Sequence, residues 1–173
     1  MSRQRHRGSP CTRLLDRGEK GRHVTATPPS AHHGSATPSE LPTLLRLHGL
    51  RCTASRLCTL RLLSASGAHL SSAEVCSELR RLAVPFDQAT VFRTLETLTD
   101  AGLTHAVHGP GPKRYGVSSE PHHHTVCEAC GQVGDLAADH LKDAVERIAE
   151  LAGLHVGAAG SLLLYGRCAR CSG

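Results

Sequence analysis

Three consecutive histidines run straight into a paired-cysteine motif at Pro121-His122-His123-His124-Thr125-Val126-Cys127-Glu128-Ala129-Cys130-Gly131, and a second C-x-x-C spans Cys168 to Cys171. Thiolates and imidazoles at these spacings are the donors that zinc and related metals take. Cys127 and Cys130 are separated from Cys168 and Cys171 by a 37-residue gap. Each pair chelates through a knuckle turn, with Gly131 letting the chain fold back beneath the ion. Four thiolates make a closed tetrahedral zinc site, which contributes folding energy and leaves no position for a substrate. Two redox dithiols, or an iron–sulfur or rubredoxin-type centre, are the competing readings of the same residues.

The histidines begin a second site. On a strand, His122 and His124 project to one face and His123 to the other. Two imidazoles need further ligands from elsewhere, and His69, His105, Glu120 and Asp135 are the candidates. His69 and His105 lie upstream, among the predicted helices and hairpin of residues 39–118. Ligands taken from there would tie that region's position to metal occupancy.

Elements must hold these donors in place. The chain has 173 residues, enough for one medium domain or two small ones, and only 2% of them are aromatic. Its core must therefore be Leu, Val and Ala, and a small core of that kind gains from a metal staple. Residues 1–38 are rich in Arg, Ser, Pro, Gly and His without hydrophobic period, and read as a disordered basic leader. Seven of the twenty Lys and Arg lie in its first 22 residues, so the net charge of +5 is weak evidence for a polyanionic partner. With no apolar signal core and four of eight cysteines in C-x-x-C pairs, the expectation is a reducing, cytoplasmic setting. No run of 18 apolar residues marks a membrane span.

Residues 39–118 read as helices followed by a hairpin. Leu41, Leu44, Leu45 and Leu47 indicate a short helix stopped by Gly49. Thr53 caps a second helix through about Ala65, with Leu57, Leu60 and Leu63 inward. Ser71 and Glu74 form a capping box for a third, before Val75, Leu79 and Leu82. Asp87 caps a fourth, Gln88 to Asp100, whose apolar stripe is Val91, Leu95 and Leu98. Two β-prone runs, Leu103 to His108 and Arg114 to Ser118, flank Gly109-Pro110-Gly111-Pro112. Helices followed by such a hairpin make a winged helix, with the fourth helix in the recognition position. Thr90, Arg93, Thr94 and Thr97 read as its outward face, suited to phosphates and base edges. An ordinary solvated helix face is the competing reading.

Residues 119–173 read as a small α+β domain. His123 to Cys127, Gln132 to Leu136, Leu154 to Val156 and Ser161 to Tyr165 are its strands. An amphipathic helix, Asp139 to Ala152, carries Leu141, Val145, Ile148 and Leu151. A domain this small often completes its core with a second copy.

Together these segments resemble the ferric uptake regulator family over about Leu41 to Cys171. Leu47-His48-Gly49-Leu50-Arg51-Cys52-Thr53-Ala54-Ser55-Arg56 is similar to the family's opening motif. His69-Leu70-Ser71-Ser72-Ala73-Glu74-Val75 and Ala89-Thr90-Val91-Phe92-Arg93-Thr94-Leu95 match two more, and the His/Cys runs complete the set. The resemblance implies an N-terminal winged helix, a C-terminal dimerisation domain, and a homodimeric, metal-responsive repressor of double-stranded DNA operators. Apart from the metal ligands no nucleophile–base–orienter set is present, so neither enzyme activity nor a small organic substrate is expected, and the lack of an apolar run gives no expectation of membrane association. The resemblance places structural Zn2+ on Cys127, Cys130, Cys168 and Cys171, and a sensor site on His69, His122 and His124, with His105 at a ligand position of the zinc-sensing branch. Asp135 matches a carboxylate of the peroxide-sensing branch. Arg51, Arg56, Thr90, Phe92, Arg93 and Thr94 are the expected DNA contacts.

The departures matter. A family carboxylate position is Gly116, and the zinc-branch cysteine falls on Ser118. What remains is His-rich, which favours Zn2+ or Ni2+ over Fe2+ or Mn2+. A further family site falls on Pro121, Lys142 and Gly160, leaving His123 alone and reading as a spectator. Phe92 replaces the usual recognition Tyr, keeping a ring for a thymine methyl without the hydroxyl. Two other functions fit the same residues: a peroxide-sensing repressor in which bound iron oxidises a histidine, and a zinc-binding module that never contacts DNA.

Overall fold

The computed structural model describes residues 37–118, 121–155 and 161–172. Almost all of the basic leader, together with Glu120, Val156 and Gly160, lies outside them. Thr37 and Pro38 are tied in: the Thr37 backbone N–H donates to the Glu40 carboxylate, and the Pro38 carbonyl accepts from Arg61.

The helical half follows from its caps and periodicity. Helix α1 (Leu41–Leu47) buries Leu41 and Leu45 but leaves Leu47 exposed. Helix α2 (Ala54–Ser66) starts at Thr53, whose hydroxyl accepts from the Arg56 N–H. A two-residue strand, β1 (Leu70–Ser71), leads into α3 (Ser72–Arg81). Ser71 and Glu74 form the reciprocal capping box there, and a cap of this kind contributes about 1 kcal/mol. Helix α4 (Gln88–Asp100) is capped by Asp87 and buries Val91, Leu95 and Leu98. These meet Leu62, Leu63, Val75, Leu79 and Tyr115 in one cluster and Leu41, Leu45, Leu60 and Leu103 in another.

Strands β2 (Thr104–Val107) and β3 (Arg114–Val117) form the hairpin, and β1 adds to the outer edge of β3, giving the antiparallel order β1-β3-β2. The register sets His105 opposite Gly116. This third strand was not legible in the sequence, because two residues carry no alternation.

In the second half, β4 (His122–Cys127) is central. It pairs antiparallel with β5 (Val133–Ala137) and parallel with β6 (Leu163–Gly166). Between β5 and β6, a 3-10 turn (Ala138–His140) precedes α5 (Lys142–Ala152), so the regular helix starts three residues later than the pattern indicates. Leu154 and His155 are not strand. The Leu154 N–H bonds Ala149 O and the Gly153 N–H bonds Glu150 O, a Schellman closure that uses the donor a strand would need. Gly153 takes the left-handed conformation this requires, at φ +63°. No side chain of α5 is buried in the single chain: Leu151 is 88% exposed, and Ile148, Leu154, Leu164 and Tyr165 are exposed as well.

The hairpin turn docks on the second half. A Cβ at Gly109 would meet Val126 Cγ1 at 2.7 Å, one at Gly131 would meet the Pro110 carbonyl at 2.9 Å, and Tyr165 Oη donates to His108 O at 3.1 Å.

Candidate metal centres and DNA-binding face

The four cysteines meet. Their Sγ atoms all lie within 4.8 Å of one another, with Cys130 and Cys168 at 3.9 Å. Metal–sulfur bonds of ~2.3 Å in a tetrahedron give an edge of ~3.8 Å, so the cluster has the size of a zinc site. The knuckles are built as their sequence demands: the Gly131 N–H closes on Cys127 O and the Cys171 N–H on Cys168 O, both at 2.8 Å. Gly131 sits at φ +68°. Backbone N–H groups of Cys168 and Cys130 aim at Cys127 and draw its thiol down to about 6. Cys171 goes the other way, up to about 12, because its sulfur faces Cys168 and Cys130. Four thiols this close resist complete ionisation alone, and a divalent cation removes that resistance.

The second cluster spans both halves. His69 precedes β1, His105 is on β2, and His122 and His124 are on the same face of β4. Their ring nitrogens converge on His105 Nε2: His69 Nε2 at 2.7 Å, His124 Nε2 at 3.0 Å and His122 Nε2 at 3.3 Å. A tetrahedral ion with nitrogen bonds of ~2.0–2.1 Å has an edge of ~3.3 Å, so the quartet is close to the size it needs.

The outer ring nitrogens are oriented too. His69 Nδ1 lies 3.2 Å from Asp135 Oδ1, and His124 Nδ1 lies 3.0 Å from Ser161 Oγ. The Ser161 hydroxyl donates to His122 O at 2.8 Å, so it accepts from His124 Nδ1–H. Donation outward from Nδ1 leaves the Nε2 lone pairs facing one another, as in metal-bound histidines. Three of the rings are held neutral. Burial first, then the neighbouring imidazoles, brings His69 down to about 3, and the same causes bring His105 and His124 down to about 4. Asp135 thus stands beside the quartet as an orienting group, a role the sequence did not separate from ligation. Ser161 was missed altogether, since nothing in its sequence context marks it.

Gly116 lies under this cluster. An added Cβ would sit 2.4 Å from His69 Nε2. Ser118 is exposed. His123 is not part of the quartet; it is 4% exposed, and its Nδ1 accepts the Leu162 N–H at 3.2 Å, helping hold the chain that leads into β6.

On the helical half, a groove between the start of α2 and α4 is lined by Thr53, Ser55, Arg56, Thr90, Arg93 and Thr97, with Thr94. Phe92 and Arg93 stand outward, Phe92 at 46% exposed. Thr94 does not: it is 6% exposed, because three residues after Val91 and one before Leu95 it falls on the buried side of α4. Thr90 Oγ1 donates to Asp87 at 2.6 Å, so its hydroxyl proton serves the cap. Arg51 is exposed, and Arg56 donates to Arg51 O. Strand β3 links this face to the histidines. Tyr115 Oη donates to Glu96 of α4 at 2.7 Å, while the neighbouring Arg114 holds the His69 carbonyl and Glu74.

A winged helix joined to a four-thiol domain, with imidazoles from both parts meeting between them, defines a class of metal-dependent DNA-binding regulators. The profile of the ferric uptake regulator family matches residues 47–159. The chain is 35% identical over 129 residues to the ferric uptake regulation protein of Bacillus subtilis (strain 168), covering 71% of this chain and 86% of that one. It is 31% identical over 109 residues to the peroxide-responsive repressor PerR of Staphylococcus saprophyticus, covering 62% and 73%. The crystal structure of the Vibrio cholerae ferric uptake regulator superposes with a TM-score of 0.63 at 31% identity, over 74% of this chain and 99% of that one. The chain belongs to the ferric uptake regulator family. It is a metal-responsive transcriptional regulator and not an enzyme.

Proposed function

We propose that this protein is a homodimeric repressor whose grip on a palindromic operator is set by a divalent metal at His69, His105, His122 and His124. The observation that carries the reading is the origin of the donors: His69 precedes β1 and His105 is on β2, in the helical half, whereas His122 and His124 are on β4, the strand that ends at Cys127. A metal there supplies positive charge to four converging lone pairs and bonds across the hinge. Without the metal, the rings are linked only by N–H···N contacts between neutral imidazoles, so His69 and His105 can leave with the helical half. Tyr115 and Arg114 carry the position of the β1–β3–β2 sheet to Glu96 on α4 and to the entry of α3. A fixed hinge therefore sets the separation of two recognition helices, which must match successive major-groove half-sites.

The exposed apolar stripe of α5 and β6 supports pairing with a second copy, since Ile148, Leu151, Leu154 and Leu164 would otherwise face water. Cys127, Cys130, Cys168 and Cys171 form the structural zinc clasp. Arg51, Arg56, Phe92 and Arg93 contact DNA, with Asp87 capping the recognition helix and Thr90 donating to that cap. The all-imidazole donor set favours zinc or nickel over iron or manganese. The setting is cytoplasmic.

Gel-shift titration with zinc, nickel, iron and manganese tests this reading. Zinc or nickel is expected to tighten DNA binding and chelation to release it. DNA affinity indifferent to every metal and to chelator overturns it.

A further inference from the structure

We infer that Gly116 is the residue that sets which metals the hinge accepts, by leaving the space that His69 occupies; this rests on the hinge being a metal site. Gly116 faces His105 across the β2–β3 pair. A Cβ at 116 would lie 2.4 Å from His69 Nε2, 2.8 Å from its Cδ2 and 2.9 Å from its Cε1, so the Nε2 edge of the ring, the edge that faces the quartet, sits where a side chain would begin. The backbone does not ask for glycine here: Gly116 is not among the residues at positive φ, and its strand conformation suits any amino acid. Space is the reason. Glycine in a strand interior often marks close approach of another group, and here that group is the imidazole of His69.

The ring cannot swing aside without cost. Its Nδ1 is held by Asp135 and the backbone carbonyl of the same residue by Arg114. A side chain at 116 must therefore push His69 Nε2 off its 2.7 Å edge with His105 Nε2. A carboxylate at 116 would both displace that imidazole and offer oxygen in its place. Nitrogen-only sets suit zinc and nickel, and mixed nitrogen–oxygen sets with fewer imidazoles shift preference toward manganese and iron. Gly116 is a specificity-determining residue and not a ligand.

The test uses the full chain with the four-cysteine site loaded. It reads zinc and manganese affinity by competition against a chromophoric chelator, and coordination by the visible spectrum of added cobalt. Gly116→Ala is expected to weaken zinc at the hinge at least about tenfold, the scale of a disturbed ligand orientation, and to change the cobalt spectrum. In a His69→Ala background the same substitution is expected to change zinc affinity less than about twofold, because the ring it displaces is gone. Gly116→Asp is expected to narrow the zinc-over-manganese preference. Unchanged affinity and spectrum in Gly116→Ala, or an equal loss in both backgrounds, overturns the inference. Thermal midpoints of the metal-free variants are read alongside; a fall in midpoint as large with His69 absent marks a backbone effect and also overturns it. His105→Ala and His124→Ala separate the two levels: if these too leave zinc binding unchanged, the metal-site reading itself has failed.

Discussion

Asp135→Asn offers a quantitative probe of the hinge, because its carboxylate reaches across it. Asp135 is on β5 of the metal domain, and its partner His69 belongs to the helical half, 3.2 Å away. The amide keeps the shape and loses the charge that supports His69 Nδ1–H. Removing an orienting carboxylate costs about 10–100-fold in metal affinity. The Asp135 side chain is 26% exposed, so water softens the loss and the lower end applies, about tenfold or ~1.4 kcal/mol. This contact exists only when the two halves are together, so the loss falls on the preference for the closed form. Moving a dimer from 1:99 open to 99:1 closed takes ~5.5 kcal/mol. With ~4 kcal/mol left, saturating zinc still closes the hinge to about 10:1. The expected result is therefore specific. Half-maximal DNA binding moves to about tenfold higher free zinc, while DNA affinity at saturating zinc changes by less than about twofold. Fluorescence anisotropy on an operator selected in vitro, in zinc buffers, reads both. Asp139→Asn, on the exposed 3-10 turn, is the control. An Asp135→Asn curve that overlies wild type, or an equal shift in Asp139→Asn, refutes the reasoning.

The pH dependence follows from the buried imidazoles. His69, His105 and His124 are held neutral down to about 3, 4 and 4, against about 6.5 when unfolded, so the unfolded chain binds more protons below that value. The closed arrangement of the imidazoles is fully favoured above pH ~6.5 and is lost as pH falls toward 4 and the rings take up protons. Thermal melts across pH 4–8 check this; a flat profile contradicts it. Cys127→Ser is expected to lose the structural zinc, a site contributing on the order of 10 kcal/mol of folding energy, and with it the second domain. Zinc content together with size-exclusion elution reads that outcome. Arg93→Ala is expected to weaken DNA binding and, if Arg93 meets a phosphate, to reduce the slope of log affinity against log salt by about one.

Local signals carried much of the fold. Capping residues Thr53, Ser71 and Asp87 and the 3.6-residue stripes located α2, α3 and α4 almost to the residue. The four thiols were legible from cysteine spacing alone, since two chelating pairs that share one ion constrain each other. What was not legible depends on long-range packing. Strand β1 exists only because β3 offers an edge to Leu70 and Ser71. Thr94 lies at the margin of the α4 stripe, where a helical wheel alone cannot say which neighbour covers it. The orienting roles of Asp135 and Ser161 depend on pairings 66 and 37 residues apart, which no local pattern encodes. Gly116 stood out in the sequence as a missing ligand; the structure turns it into a space that a ligand fills.

The docked hairpin turn bears on how this chain tolerates change in length. Hairpin tips are ordinarily where a protein accepts an inserted residue with least harm. Here Gly109 and Pro110 sit against Val126 and Gly131, and His108 O takes the Tyr165 hydroxyl. The tip is thus a gauge of fixed length between two domains. An extra residue would not loop out into solvent; it would pry the wing from the cysteine knuckle. Natural variation in this turn should therefore run to substitution within a constant number of residues.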